Sequence, residues 1–303
     1  MKIYMLLLFL LSLISISCND ITNNSSGPKI LIVTAHPDDE ILFAGTVYKT
    51  TTFLNGQCDV FLITNGEGGY KYSTLSERIY NLELTEESIG RKHLPEIRKK
   101  ELLRSGKIMG IHNYYFLEQK DHRYTLNPKE VLDGIWDIHY IKKKLNKLLL
   151  DKQYDYIFTL IPSKETHGHH KMATILALEV VKDLNLTLKP VILAGATHDI
   201  GNTPPSFTEL TNFPITKIKE NTAPFTFNRN QNFSYKNRLN YKIIANWAIA
   251  EHKSQGTMQL LTNKGDYEYY FYFDINPENN IKSTQKFFDS LEKPQFPEKT
   301  YNP

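Results

Sequence analysis

Residues Lys29–Glu40 read KILIVTAHPDDE. The first seven form a continuous run of strand length, rich in apolar and β-branched residues, as expected of a strand covered on both faces. It leads straight into a histidine, a proline and three consecutive acids. Adjacent carboxylates repel one another unless a positive charge sits among them. A buried strand that delivers such a cluster to its own tip marks a parallel sheet with a site at the carboxyl ends of its strands.

The surrounding sequence supports that architecture. ILFAGTVYKTTTFLNG (41–56) has a helical pattern with Gly at its end. CDVFLITNGEGG (58–69) is a second strand ending in a glycine-rich turn. In LPEIRKKELLRSGKIMGI (94–111), Ile97, Leu102, Ile108 and Met109 fall on one side of a helix. NYYFLEQKD (113–121) is a third short strand, 134–152 a helix and YDYIFTLIP (154–162) a fourth strand. A helix over 170–185 and the strand KPVILAGA (189–196) follow. Strands alternating with helices imply right-handed crossovers and a parallel sheet. The expected fold is therefore α/β, a Rossmann-like three-layer sandwich with a mostly parallel sheet and an irregular C-terminal extension. In that extension a long helix is expected over 235–261, and YEYYFYFDI (267–275) is strand-like.

The chain has 303 residues, of which 41% are hydrophobic, enough for one large or two small domains. Formal net charge is +3, and no long basic run points to nucleic acid. At the N-terminus Lys2 precedes an apolar run, 3–16, too short to span a bilayer but suited to a secretory signal. Cys18 sits where a bacterial lipoprotein signal is cut and lipidated. The polar NDITNNSSGP that follows reads as a disordered tether. The expected division is a signal peptide at 1–17, a tether at 18–28, a catalytic domain at 29–275 and a tail at 276–303. The expected location is extracytoplasmic, either as a bacterial lipoprotein held to a membrane only through a lipid on Cys18 or as a secreted protein. Cys58 is then the one thiol left, so the mature chain has no internal disulfide.

The chemistry concentrates in two places. In AHPDDE, His36 and Asp39 stand three apart with Pro37 stiffening the turn, and one imidazole plus one carboxylate suits zinc. Asp38 between them stays available to accept a proton from water. The second place is ETHGHHK (165–171), again just past a strand and opening a helix. His167 and His170 are one helical turn apart. A catalytic zinc takes three protein ligands and keeps one position open. His36, Asp39 and one of His167, His169 and His170 meet that requirement; spacing alone does not say which.

AHPDDE after a first strand, with H-x-x-H after a later one, resembles the LmbE-like (PIG-L) family of zinc-dependent N-deacetylases. TNGEGG (64–69), RKKELLRSGKIMGI with Arg98 and Glu101, FLEQKD with Asp121, and KIIANWAIAEHKSQ are similar to further family segments in the same order. The resemblance covers roughly residues 29 to 260. It implies His36, Asp39 and His170 as zinc ligands, Asp38 as general base and His167 as stabiliser of the tetrahedral intermediate. It further implies Arg98 as a sugar or phosphate contact. Glu67 and Asp121 are further substrate-binding candidates. The implied activity is release of acetate from an N-acetylglucosamine-type sugar or glycoconjugate. One departure stands out: the family commonly carries Pro-Asp within H-x-x-H, where this chain has Gly168 and His169. The alternatives are a zinc amidase acting on another amide, or an inactive carbohydrate-binding lipoprotein of the same fold.

Overall fold

The computed structural model describes residues 27–187 and 189–294. The expected signal segment and Cys18 lie outside them. Along the chain run β1 (Lys29–Thr34), α1 (Ala44–Phe53), β2 (Gln57–Thr64), α2 (Glu77–Tyr80), α3 (Glu87–Met109), β3 (Asn113–Gln119), α4 (Ile138–Lys152), β4 (Tyr156–Leu160), α5 (Gly168–Asp183) and β5 (Val191–His198). After a long irregular segment come β6 (Phe225–Asn228), β7 (Asn232–Phe233), β8 (Leu239–Asn240), α6 (Lys242–Glu251), β9 (Tyr267–Tyr272) and α7 (Ile281–Glu292). Among the described residues no helix is long and apolar enough to cross a membrane.

The central sheet has the order β3-β2-β1-β4-β5-β9-β6. From β3 through β5 every pairing is parallel, and β9 runs antiparallel to both of its neighbours. Full burial of β1 beyond Lys29 follows from its central place. One face packs Leu31, Val33 and Ile157 with the apolar sides of α4 and α5. The other packs Ile30, Ile32 and Val60 with α1, α3, α6 and α7. The sheet is thus the middle of three layers.

The C-terminal third shows where tertiary contacts override local pattern. The long helix expected over 235–261 is only ten residues, Lys242–Glu251. Past it, the Ser254 N–H donates to the Glu101 carboxylate of α3 at 2.8 Å instead of to its own helix. The boundary expected at residue 275 also falls inside the folded unit. The 3–4 spacing of Thr284, Phe287, Phe288 and Leu291 makes α7 amphipathic, and all four are buried. Lys49, buried within α1, donates its ammonium to the carbonyls of Leu291 and Lys293 and so fastens the end of α7.

Candidate functional site

Strand order reverses between β1 and β4, where an α/β sheet opens a crevice beyond its carboxyl ends. His36–Glu40 follow β1 at that crevice, and His167–His170 follow β4. The two histidine-bearing segments meet because β1 and β4 are hydrogen-bonded neighbours.

Asp39 is buried with its two oxygens in different roles. Oδ2 accepts the Thr34 hydroxyl and, at 2.8 Å, the His36 backbone N–H. Oδ1 lies 3.0 Å from His170 Nε2. His170 Nε2 is in turn 2.8 Å from His36 Nδ1. Burial alone would raise the Asp39 pKa, but the neighbouring His170 and His36 hold it below the ordinary carboxylate range. Burial alone would lower His170, and Asp39 reverses that.

The far side of the His36 ring is different. His36 Nε2 lies 3.5 Å from Asp121 Oδ1, and His169 Nδ1 lies 3.3 Å from the same oxygen. Burial would raise Asp121, but the two imidazoles drive it well below its usual value. A carboxylate only accepts, and the same two nitrogens lie 3.2 Å from each other, so at least one of them carries a proton. With its proton on Nε2, His36 presents its Nδ1 lone pair to the Asp39 and His170 side.

His167 caps α5, its Nδ1 accepting the His169 backbone N–H at 3.0 Å. A neutral ring that accepts at Nδ1 carries its proton at Nε2. Burial, reinforced by His36, His169 and His170, pushes His167 down to about 2, so it stays neutral.

Two groups of side chains are close enough to hold an ion: His36 with Asp39 and His170, and His36 with His167 and His169. The first brings together His36 Nδ1, Asp39 Oδ1 and His170 Nε2, a His–Asp–His set suited to a catalytic zinc, which would displace the proton His170 shares with Asp39. In the second, the hydrogen bonds just described occupy Nδ1 of both His167 and His169. The residues present therefore fit one metal, on the Nδ1 side of His36. Residues 31–181 match the PIG-L family, GlcNAc-PI de-N-acetylase. The chain belongs to that family.

No curated protein matches this PIG-L chain. Among solved structures, N,N'-diacetylchitobiose deacetylase from Pyrococcus horikoshii is 23% identical with a TM-score of 0.39, covering 56% of this chain and 60% of its own. The 4-carboxy-2-hydroxymuconate hydratase GalB from Pseudomonas putida KT2440 is 13% identical with a TM-score of 0.50, over 80% of this chain and 95% of its own. A deacetylase of the A40926 pseudoaglycone, Dbv21, is 14% identical with a TM-score of 0.48, over 80% and 96%. The likeness to the hydratase shows the shared α/β fold.

The PIG-L chain departs from the family's usual Pro-Asp at Gly168 and His169 for visible reasons. The Gly168 N–H donates to the Thr125 carbonyl at 2.6 Å, which a proline has no proton to do. A side chain at 168 would also meet the Asn127 backbone. His169, nearly inaccessible, reaches Asp121 instead of reaching the metal position.

Asp38, the second acid of AHPDDE, is held in a strained backbone conformation, φ 111°. Its N–H donates to Glu40 Oε2 at 2.9 Å. Glu40 is fully buried, and its other oxygen accepts Ser105 Oγ and His252 Nε2, each at 2.7 Å. Arg98 of α3 donates to the carbonyls of Pro37 and Gly66, and its Nη2 lies 3.0 Å from Asp38 Oδ2. Gly66 is obligatory here: its φ is 72°, and a Cβ would strike the Arg98 guanidinium. Burial raises Asp38 to about 7, against the opposing pull of Arg98.

These contacts revise three expected roles. Arg98 is 3% exposed and lines the cleft, and its Nη groups hold the loop carbonyls and position Asp38. Glu67 accepts the Asp121 N–H at 3.0 Å and does not line the cleft. Asp121 lines the cleft, yet its oxygens are taken by the Gly68 N–H, His36 and His169, which makes it an anchor for imidazoles. His198 and Asp199 stand apart from the metal group; Asp199 accepts the Gly265 N–H.

The site opens into a cleft of about 450 Å³. Its lining includes residues from regions that carry no readable motif: Leu42, Tyr72, Tyr124, Leu160, Thr197, Arg229, Met258, Leu261 and Lys264. The Tyr124 ring packs edge-on against His167, with centroids 4.9 Å apart. Arg229 is buried against Glu268 at 2.7 Å and donates to the carbonyls of Ile41 and Leu42. The signal that would have found these residues is a contact between distant segments, which one sequence does not display.

Proposed function

We propose that the protein is a zinc-dependent N-deacetylase that releases acetate and a free amine from an N-acetylglucosamine-type sugar or glycoconjugate. The observation that carries this reading is the convergence of His36 Nδ1, Asp39 Oδ1 and His170 Nε2 beside an acid that binds none of them. Those three residues would hold the zinc. When bound, zinc supplies Lewis acidity that polarises the amide carbonyl and makes water easier to deprotonate.

The chain's own groups do the rest. Asp38, raised to about 7, is matched to accept the proton of the attacking water and return it to the departing nitrogen. Arg98 fixes the position of that carboxylate. His167, neutral with its proton on Nε2, donates a hydrogen bond to the charge that develops on the amide oxygen. A neutral imidazole with so low a pKa is a poor proton donor to an amine, so Asp38 carries the transferred proton. Membership of the GlcNAc-PI de-N-acetylase family supports this chemistry. The extracytoplasmic placement and the lipid on Cys18 belong to the same proposal and rest on the sequence of the first eighteen residues. The test is acetate release from a panel of N-acetylated glycans by the zinc-loaded mature protein. Stoichiometric zinc without hydrolysis of any amide would overturn the assignment.

A further inference from the structure

The two halves of the cleft differ in chemistry, and sheet order says which is which. On the β2–β3 side of His36 stand the Gly68 and Gly69 backbone, Gln255, whose amide reaches the Gly69 carbonyl, and Tyr72. Hydrogen-bonding groups and an aromatic face suit a sugar ring. On the β4–β5 side stand Ile41, Leu42, Leu160 and Leu261, and only Thr197, Arg229 and Lys264 beyond them are polar. The Arg229 guanidinium fixes the Ile41–Leu42 wall by holding both carbonyls. Leu261 is 48% exposed and the adjoining Leu260 is 76% exposed, so the aliphatic surface continues to the mouth. An exposed aliphatic edge continuous with a cleft marks a binding surface.

A trans amide directs its nitrogen substituent and its acyl substituent to opposite sides of the carbonyl carbon. With the carbonyl over the His36, Asp39 and His170 group, the sugar on nitrogen takes the tyrosine side and the acyl group takes the aliphatic side. Acetyl, with one methyl, leaves most of that wall uncovered. We propose that the preferred substrate carries a linear acyl chain of about four to eight carbons on its nitrogen, bound along Leu42, Leu160 and Leu261. The inference rests on the amide-hydrolase reading and specifies its acyl group.

Each buried methylene contributes up to about fourfold in binding or specificity. The test compares N-acetyl-, N-butanoyl- and N-hexanoylglucosamine as substrates of the zinc-loaded protein. In parallel, calorimetry measures hexanoate and acetate binding to the same protein. The expected result is kcat/KM at least tenfold higher for hexanoyl than for acetyl, with hexanoate binding tighter than acetate. Leu261→Ser should lower the hexanoyl-to-acetyl ratio several-fold, and Leu42→Ser should lower it further. Equal or faster acetyl hydrolysis, with hexanoate binding no tighter than acetate, overturns the proposal. Tight hexanoate binding with no hydrolysis of any amide supports the acyl wall while overturning the hydrolase reading.

Discussion

The two nitrogens of His36 look into different surroundings. Nδ1 faces one Asp39 oxygen and His170 Nε2, which lie 3.0 Å apart and converge with it. Nε2 faces Asp121 and His169, whose Nδ1 lies 3.2 Å away and shares the same carboxylate oxygen. Both sides contain acid and imidazole within hydrogen-bond reach. What separates them is who else holds the carboxylate. The outer oxygen of Asp39 is satisfied by Thr34 and the His36 backbone, leaving Oδ1 to the cleft. Asp121 takes the Gly68 N–H on one oxygen and two imidazoles on the other. The same residue types therefore offer a converging ligand set on one side and an orienting brace on the other, the arrangement that metal-binding histidines commonly require.

That contrast can be broken by substitution. Asp39→Ala or His36→Ala should abolish zinc binding and leave no measurable amide hydrolysis, read by metal analysis and acetate release. Asp38→Asn should keep stoichiometric zinc while kcat falls by about 10²–10⁴; loss of zinc in that variant would move Asp38 into the ligand set. Asp121→Asn should keep a site but weaken zinc affinity by about 10–100-fold. If the two sides of His36 were equivalent, Asp39 and Asp121 would cost the same. His169→Asn should have a smaller effect than Asp121→Asn, because His36 keeps its carboxylate; a loss as large as that of His170→Ala would make His169 a ligand.

The smallest expected effect is on stability, and it serves as a control outside both sides. His252 is fully buried. Burial would lower its pKa, but Glu40 2.7 Å away raises it. A raised folded-state value means the stabilisation is complete below about pH 6.5, the unfolded value, and is lost as pH rises through the folded value. The unfolding midpoint of the wild type should fall over that alkaline window relative to His252→Gln. Parallel pH profiles for the two proteins would remove the charged pair.

Much of the architecture was legible because local pattern and final environment agree. A continuous apolar run such as KILIVTA belongs in a strand covered on both faces, and the alternation of such runs with helices leaves few topologies. The chemistry-bearing motifs were legible for the same reason, since His36, Asp39 and His167–His170 each follow a strand that ends at the crevice. The long α6 was over-read because its apolar spacing continues past Glu251, while Glu101 and Glu40 draw Ser254 and His252 out of the helix. The α7 helix was under-read because a narrow apolar stripe in a polar segment resembles a tail until a groove exists to receive it.

The sequence by itself determined the α/β class, the strand tips that carry the site and the residue types available for a metal. It determined them because periodicity and residue chemistry act over a few positions. Only the tertiary structure decided which ring nitrogen faces which acid, that Arg98 braces Asp38, and that His169 serves Asp121. Each of those depends on proton donors and acceptors brought together from distant segments, Arg98 and Asp38 being 60 residues apart and His36 and His170 134. A hydrogen bond assigns its proton by geometry, and geometry across such separations exists only in the folded chain.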